Sequence, residues 1–223
     1  GKNSNRKADR ASREIALKAV VFATHGGIDV LQFKDFAAPR ISPNEALVKV
    51  KATALNHNDL WARRGVAGMD FIFPHISGTD AAGIVQEVGS EVTNVRPGDE
   101  VLVQGIFSCG CCYECLKGDP ALCPELKVWG FQTGPLDGGQ AELAKVPAAN
   151  LVAKPENLDW EEAASIPMAL ATAWRMLVTR AGIRPGDFVL IWGASGGIGS
   201  MAVQICRLFR ARAIAVAADD AKL

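Results

Sequence analysis

The hydrophobic rhythm of this chain changes once along its length. From about residue 15 to residue 152 the apolar runs are short and rich in β-branched residues: ALKAVVF, EALVKVKATAL, AAGIVQEVG and DEVLVQG. The segments HGG, SPN, PGD and DGG separate them, and such glycine- and proline-bearing punctuation is what lies between strands. The pattern predicts a compact antiparallel sheet or barrel. After Pro155 the spacing becomes helical in DWEEAASIPMALATAWRMLVTRAG. Asp159 fits the N-cap, Glu161 and Glu162 suit the first turn, and Gly182 fits the stop. The remainder, RPGDFVLIWGASGGIGSMAVQICRLFRARAIAVAADDAKL, reads as strand, glycine turn, helix and strand. That is a βαβ unit, with strands expected over 188–192 and 213–217. The expected class is therefore mixed α/β, without internal repeats.

Composition narrows the partners. In 223 residues, 24 Lys and Arg balance 24 Asp and Glu, and 49% of residues are hydrophobic. A real core can be buried, while a nucleic-acid or membrane-surface binder would carry a basic patch or stripe. No apolar run approaches the roughly 20 residues of a spanning helix. The opening stretch GKNSNRKADRASRE lacks the apolar region of a secretory signal. Residues 1–16 read as a polar tail, and the expected compartment is the cytoplasm, where thiols stay reduced.

Candidate chemistry concentrates at two places. The first is CGCCYECLKGDPALC, residues 109–123, which holds five of the six cysteines. Cys109, Cys112, Cys115 and Cys123 follow C-x2-C-x2-C-x7-C. Four thiolates so spaced can converge on one tetrahedral Zn2+ and close its coordination sphere, leaving no place for substrate. Disulfides fit poorly at such short spacing. The alternative is a cluster of buried or redox-active thiols. Cys111 breaks the spacing and reads as a spectator or substitute ligand; Cys206 sits at apolar helical spacing and reads as packing.

The second is GASGGIG, residues 193–199, between a strand and a helix. With Ala194 in the first glycine's place it reads A-x-G-x-x-G, in the strand–turn–helix context of dinucleotide sites. Gly193, Ser195, Gly196, Gly197, Ile198 and Gly199 are the candidate cofactor contacts. Gly196 lets the backbone approach a pyrophosphate, Gly199 lets helix and strand pack closely, and the helix start offers free N–H groups. The alternative is a tight turn with no ligand. At the end of the second strand stands Ala218 rather than a carboxylate, followed by Asp219, Asp220 and Lys222. An NAD site would read the ribose with an acid there. The absent acid and Lys222 favour NADP(H); Asp219 and Asp220 leave NAD(H) open.

A cysteine quartet in a β-rich half followed by a dinucleotide turn resembles the medium-chain dehydrogenase/reductase superfamily. The resemblance covers nearly all of residues 17–223. It is carried by GTDAAGIVQEVG, VRPGDEVLV, the quartet, GGQAELAKVPAANLVAKP, and AASIPMALATAWRML ahead of the glycine turn. It implies a GroES-like domain over 17–153 with a structural-zinc lobe, then a partial NAD(P)-binding Rossmann domain over 154–223. Two strands are expected where a full dinucleotide fold has about six, so the chain is expected to be truncated within the cofactor domain.

The alcohol-dehydrogenase branch of that family also holds a catalytic zinc. By motif its ligand positions fall at Asn56, at Thr79 and Asp80, and near Pro167 and Met168. None is Cys or His, and one carboxylate does not make a zinc site. His57 and His75 are the remaining candidates, and each reads better as a hydrogen-bonded or surface residue. The chain is thus similar to the quinone oxidoreductase branch, where N-x-x-D recurs at Asn56 and Asp59, and where Thr172, Ala173 and Trp174 match. The resemblance implies hydride transfer from NADPH to an activated double bond or quinone. Asn56 would lie near the nicotinamide or the substrate carbonyl, Asn56 and Asp59 are the candidate catalytic residues, and Thr172 would help hold the nicotinamide end. A hydrogen-bonded turn is the other reading of Asn56 and Asp59. The expected partner is a small-molecule substrate, with a homodimer in the full-length protein. The competing functions are a zinc-dependent alcohol dehydrogenase and a non-catalytic, cofactor-binding member.

Overall fold

The computed structural model describes residues 16–131 and 137–219. Lys222 and Asp220 lie outside the described residues. The first part is a set of antiparallel strands: β1 (Ala16–Phe22), β2 (Gln32–Ala37), β3 (Glu45–Ala54), β4 (His75–Ile76), β5 (Asp80–Val88) and β6 (Glu100–Val103). They continue as β7 (Ile106–Phe107), β8 (Lys127–Val128), β9 (Leu143–Pro147) and β10 (Leu151–Ala153). A five-stranded sheet runs β10-β6-β5-β3-β9, and a smaller one runs β2-β1-β4. Pairs from the 140s join the two sheets: Ala19 bridges Ala141, and Val20 N–H donates to Gln140 O.

Alternation along each strand turns one face inward. Val48, Val85, Val101, Val103 and Val146 meet around Trp129, which is wholly buried and stacks on Phe107. The β-branched runs seen in the sequence are this inward face. Helix α1 (His57–Arg64) follows β3, and the short α2 (Tyr113–Leu116) lies in the cysteine lobe.

The helical stretch after Pro155 differs from the single run expected to Gly182. It breaks into α3 (Trp160–Ala164) and α4 (Pro167–Trp174), followed by a π-helical segment, Arg175–Arg180. Pro167 explains the break. It has no N–H to donate and is tolerated only in a helix's first turn, where it stands here. The expected cap is present: Asp159 accepts from Glu162 N–H at 2.7 Å, and Glu162 returns the contact to Asp159 N–H at 3.2 Å.

The βαβ unit forms as read. Strand β11 (Phe188–Trp192) leads into α5 (Gly197–Leu208) and then β12 (Arg212–Val216), one residue earlier than expected, and the two strands pair in parallel. Ile191, Ala194, Ala202, Ile205 and Cys206 form its core with Ala173 of α4. Cys206 is therefore packing, as its spacing implied. On the other face of β11, Phe188, Leu190 and Trp192 are exposed. No helix among the described residues is long and apolar enough to cross a membrane.

Backbone crowding fixes the segment entering β5. A Cβ on Gly138 would lie 2.5 Å from Gly78 O, and one on Gly130 would lie 2.6 Å from the same atom. Only glycine lets these segments close on Gly78. We expect Gly138→Ala to destabilise the chain by about 1–3 kcal/mol through overpacking, read as an earlier denaturant midpoint at unchanged slope. An unchanged midpoint would mean that the approach is not tight.

Candidate functional site

Three local structures contain the predicted site residues. In the cysteine lobe, Cys109, Cys112, Cys115 and Cys123 carry their sulfurs to within 4.8 Å of one another. Cys109 Sγ is 3.9 Å from Cys115 Sγ and 3.6 Å from Cys123 Sγ. Zn–S bonds of about 2.3 Å in a tetrahedron require S···S edges of about 3.8 Å, so the donor set fits a closed zinc cage. Backbone N–H groups support it: Cys112 N–H points at Cys109 Sγ (3.3 Å) and Cys109 N–H at Cys123 Sγ (3.4 Å). The backbone N–H groups of Cys111 and Cys112 hold the Cys109 thiol down to about 6. A thiolate, which is the ligating form, is thus favoured. Cys111 is exposed and stands outside the quartet.

The second structure is a buried hydrogen-bond network at the start of β5. Asp80 is wholly buried. Its Oδ2 accepts from Asn56 Nδ2 at 2.8 Å, and its Oδ1 accepts from Met168 N–H, in the first turn of α4, at 2.9 Å. Asp59, also buried, accepts from Asn56 N–H with Oδ2 (2.7 Å) and from Gly78 N–H with Oδ1 (2.9 Å). Asp59 therefore caps α1 and ties that cap to Gly78. Burial pushes the Asp80 carboxyl up to about 6, against the pull of its two donors, and the like charge of Asp59 adds to the rise. Burial likewise raises Asp59.

The structure thus brings together Asn56, Asp80 and Met168, three of the positions that the resemblance marks for a catalytic metal. They do not fit one. The only anionic donor is Asp80, and the groups facing it are N–H donors whose positive ends would repel a cation. The histidines do not supply the lack. His75 is buried, with Nε2 donating to Gly130 O (2.9 Å), and burial lowers its pKa. His57 is exposed beside Trp61.

The third structure is the glycine turn. Gly193 takes a positive φ of 68°, and Ala194 N–H donates to Val216 O at 3.0 Å, which fastens the turn to the end of β12. Gly196 caps α5. A Cβ on Gly199 would stand 2.2 Å from Gly193 O and 2.7 Å from Ala194 Cα, so helix and turn touch through that glycine. By contrast, a Cβ on Gly197 would meet only Ala169 Cβ, at 3.8 Å. Ser195, Gly196, Gly197 and Ile198 are exposed around a helix start whose first N–H groups have no intrahelical acceptor. The residues present fit a dinucleotide pyrophosphate.

Helix α4 joins the second and third structures. Met168 N–H holds Asp80, and the next residue, Ala169, is the nearest neighbour of Gly197. Thr172, one turn on, is half-buried, and its Oγ1 lies 3.9 Å from Met168 Sδ. The part sequence reasoning missed is Asp80 as the hub of this arrangement. The visible signal was an acid opening an otherwise apolar strand run, DAAGIV.

Comparison with known proteins gives the family of the chain. The alcohol dehydrogenase GroES-like domain family matches residues 42–156. A crotonyl-CoA carboxylase/reductase of Cereibacter sphaeroides is 39% identical over 94% of this chain and 50% of its own length. An alcohol dehydrogenase of Geobacillus stearothermophilus is 38% identical over 86% of this chain and 56% of its own. Among solved structures, an NAD-dependent alcohol dehydrogenase superposes with a TM-score of 0.88 at 45% identity, covering 92% of this chain and 59% of that one. The chain spans about half the length of the curated relatives it matches.

Two outcomes follow from the geometry. Cys112→Ser is expected to lower zinc from about one per chain to near none and to destabilise the lobe, because structural zinc contributes folding energy; elemental analysis and thermal unfolding read both. The second concerns pH. Burial raises the folded-state pKa of Asp80 from the ordinary carboxylate range to about 6, so between about pH 4 and 6 the folded chain holds a proton that the unfolded chain has lost. This group's contribution to stability therefore falls as pH rises through that window and is flat above it. Asp80→Asn should gain on wild type by roughly 2–3 kcal/mol between pH 4 and pH 8. Parallel denaturant curves that keep a constant gap would refute the buried-anion assignment.

Proposed function

Given that this chain belongs to the medium-chain dehydrogenase/reductase superfamily, through its alcohol dehydrogenase GroES-like domain, we propose that the protein is an NADP(H)-dependent reductase of an activated double bond or quinone. A structural zinc sits in the cysteine lobe and no catalytic zinc is used. One observation carries the reading: at the positions where the alcohol-dehydrogenase branch would hold a metal, Asn56, Asp80 and Met168 form a closed hydrogen-bond network beside the dinucleotide turn. The names of relatives support it, since crotonyl-CoA reductases of two Streptomyces species are 38% and 37% identical over 86% of the chain. The domain boundary falls near residue 153, between β10 and the helices.

The bound nicotinamide supplies the hydride. What the chain contributes is placement and a donor. The first turn of α5 receives the pyrophosphate on its N–H groups. Thr172, on α4, would hold the nicotinamide end. Asn56 uses one amide N–H to hold Asp80; its other N–H is the donor for the substrate's carbonyl oxygen, which gains negative charge as hydride arrives at the conjugated carbon. Asp59 positions that amide by fixing the Asn56 backbone. Ala217 and Ala218, just past the end of β12, put no carboxylate in the way of the 2′-phosphate of NADP(H).

A second reading has its own support. The solved NAD-dependent alcohol dehydrogenase is 45% identical, and alcohol oxidation would require a metal at Asp80. Zinc content separates the two. About one zinc per chain after dialysis against a weak chelator fits the reductase; about two assigns a metal to the Asp80 position. For the reductase, Asn56→Ala in the full-length protein should lower kcat by about 10²-fold and keep one zinc, with a smaller change in the dissociation constant of NADPH than in kcat. Full kcat in that variant would remove Asn56 from the chemistry. Cofactor binding with no hydride transfer to any enone, quinone or carbonyl would mark a non-catalytic member.

A further inference from the structure

We propose that Asp119 couples occupancy of the cysteine cage to the π-helical register of Arg175–Arg180, and through that segment to the glycine turn. Asp119 lies midway between the ligands Cys115 and Cys123. Its backbone is tied into the lobe, with its N–H donating to Glu114 O (2.9 Å) and its carbonyl accepting from Leu122 N–H (3.0 Å). Its side chain leaves the lobe. Oδ1 stands 2.7 Å from Arg175 Nη1, as a close ion pair, and Oδ2 stands 3.8 Å from Arg180 Nη2. The Arg175 guanidinium holds the Asp119 carboxyl below its usual range, and Arg180 and Lys117 add to the effect.

The two arginines stand at the two ends of the π segment. In an α-helix, positions five apart diverge by about 140° around the axis, so one carboxylate would not face both. The i→i+5 pattern of a π turn brings such positions toward one side, and here Ala181 N–H donates to Met176 O at 3.0 Å, five residues back. A single anion between two guanidinium groups thus favours the π register over the α register. That register also sets how Leu177 and Val178 pack against the core formed by Ala173, Ile191 and Ala194, the last a residue of the glycine turn. A zinc in the cage fixes the loop that carries Asp119. Without it, the loop keeps only its turns and N–H···S contacts, and the carboxylate loses its fixed position. Coupling of this kind is reciprocal: a ligand that stiffens the glycine turn should slow zinc loss.

The inference rests on the zinc reading of the cage, so zinc content is measured first; a chain that retains no zinc overturns both. Hydrogen exchange then follows the backbone amides of residues 176–183 in this chain, loaded with zinc. Asp119→Asn should keep one zinc yet raise exchange at these amides roughly five-fold, the scale of one partly exposed ion pair, with the amides of β3 and β5 unchanged. Removing zinc from wild type should produce the same rise, and removing it from Asp119→Asn should add nothing further at 176–183. Wild-type exchange in zinc-loaded Asp119→Asn overturns the proposal, as does an equal response of both proteins to zinc removal. Should Asp119→Asn lose its zinc, Arg180→Gln, which lies outside the lobe, replaces it. A smaller rise at the same amides is then expected, and no change overturns the proposal.

Discussion

The arrangement depends on one buried carboxylate. Asp80 takes a hydrogen bond from Asn56 at the start of α1 and another from Met168 at the start of α4, segments 24 and 88 residues away along the chain. An anion without water is tolerable only with such donors. Removing either donor would leave charge uncompensated, so the β-rich half and the helices are held to each other by the need of this group. The adjacent Asp59 makes the same demand locally, through Asn56 N–H and Gly78 N–H. Two acids thus fix the entry to β5, the cap of α1 and the docking of α4 together.

Docking of α4 carries the constraint onward to the glycine turn. Met168 and Ala169 are consecutive; one holds Asp80 and the other is what a side chain at Gly197 would meet. A helix whose first turn makes both approaches has little freedom to rotate. Pro167 contributes by starting the helix at that residue, where its missing N–H removes no intrahelical bond. The break after Ala164, at odds with one continuous helix, is therefore what lets the N–H of Met168 point at Asp80 instead of at a preceding turn.

What was legible in the sequence was local. The quartet spans fifteen residues and the glycine turn seven, and in each the geometry follows from spacing along a short chain segment. The four sulfurs converge and the strand–turn–helix unit forms as read, with β12 displaced by one residue. Alternating β-branched runs exposed the antiparallel sheets because burial of one strand face imposes period two. The Asp80 network was illegible because its partners are distant in sequence, and one of them is a backbone N–H, which any residue at position 168 except proline would offer. The π segment was equally hidden. RMLVTR carries no signal distinguishing π from α; its register follows from a counter-charge that another lobe delivers.

In the proposed reading, the same network makes a hydrogen bond rather than a metal the source of carbonyl polarisation. A divalent cation at Asp80 would have to approach an oxygen already facing an amide or a backbone N–H, and those dipoles oppose it. An ion placed where Asn56 or Met168 now meets Asp80 would have to turn Asn56 away or withdraw α4, and withdrawing α4 would disturb the packing of α4 on α5 at the dinucleotide turn. Metal binding and cofactor-site integrity would therefore compete in this chain. Asn56 resolves that competition in the proposed reading: an amide has two N–H donors, so one can neutralise Asp80 while the other meets the substrate oxygen. A negative charge developing on that oxygen would stand near the Asp80 anion, which disfavours it. The raised pKa of about 6 tempers this penalty below neutrality, where a rising fraction of Asp80 is protonated and its repulsion of the developing oxyanion is relieved.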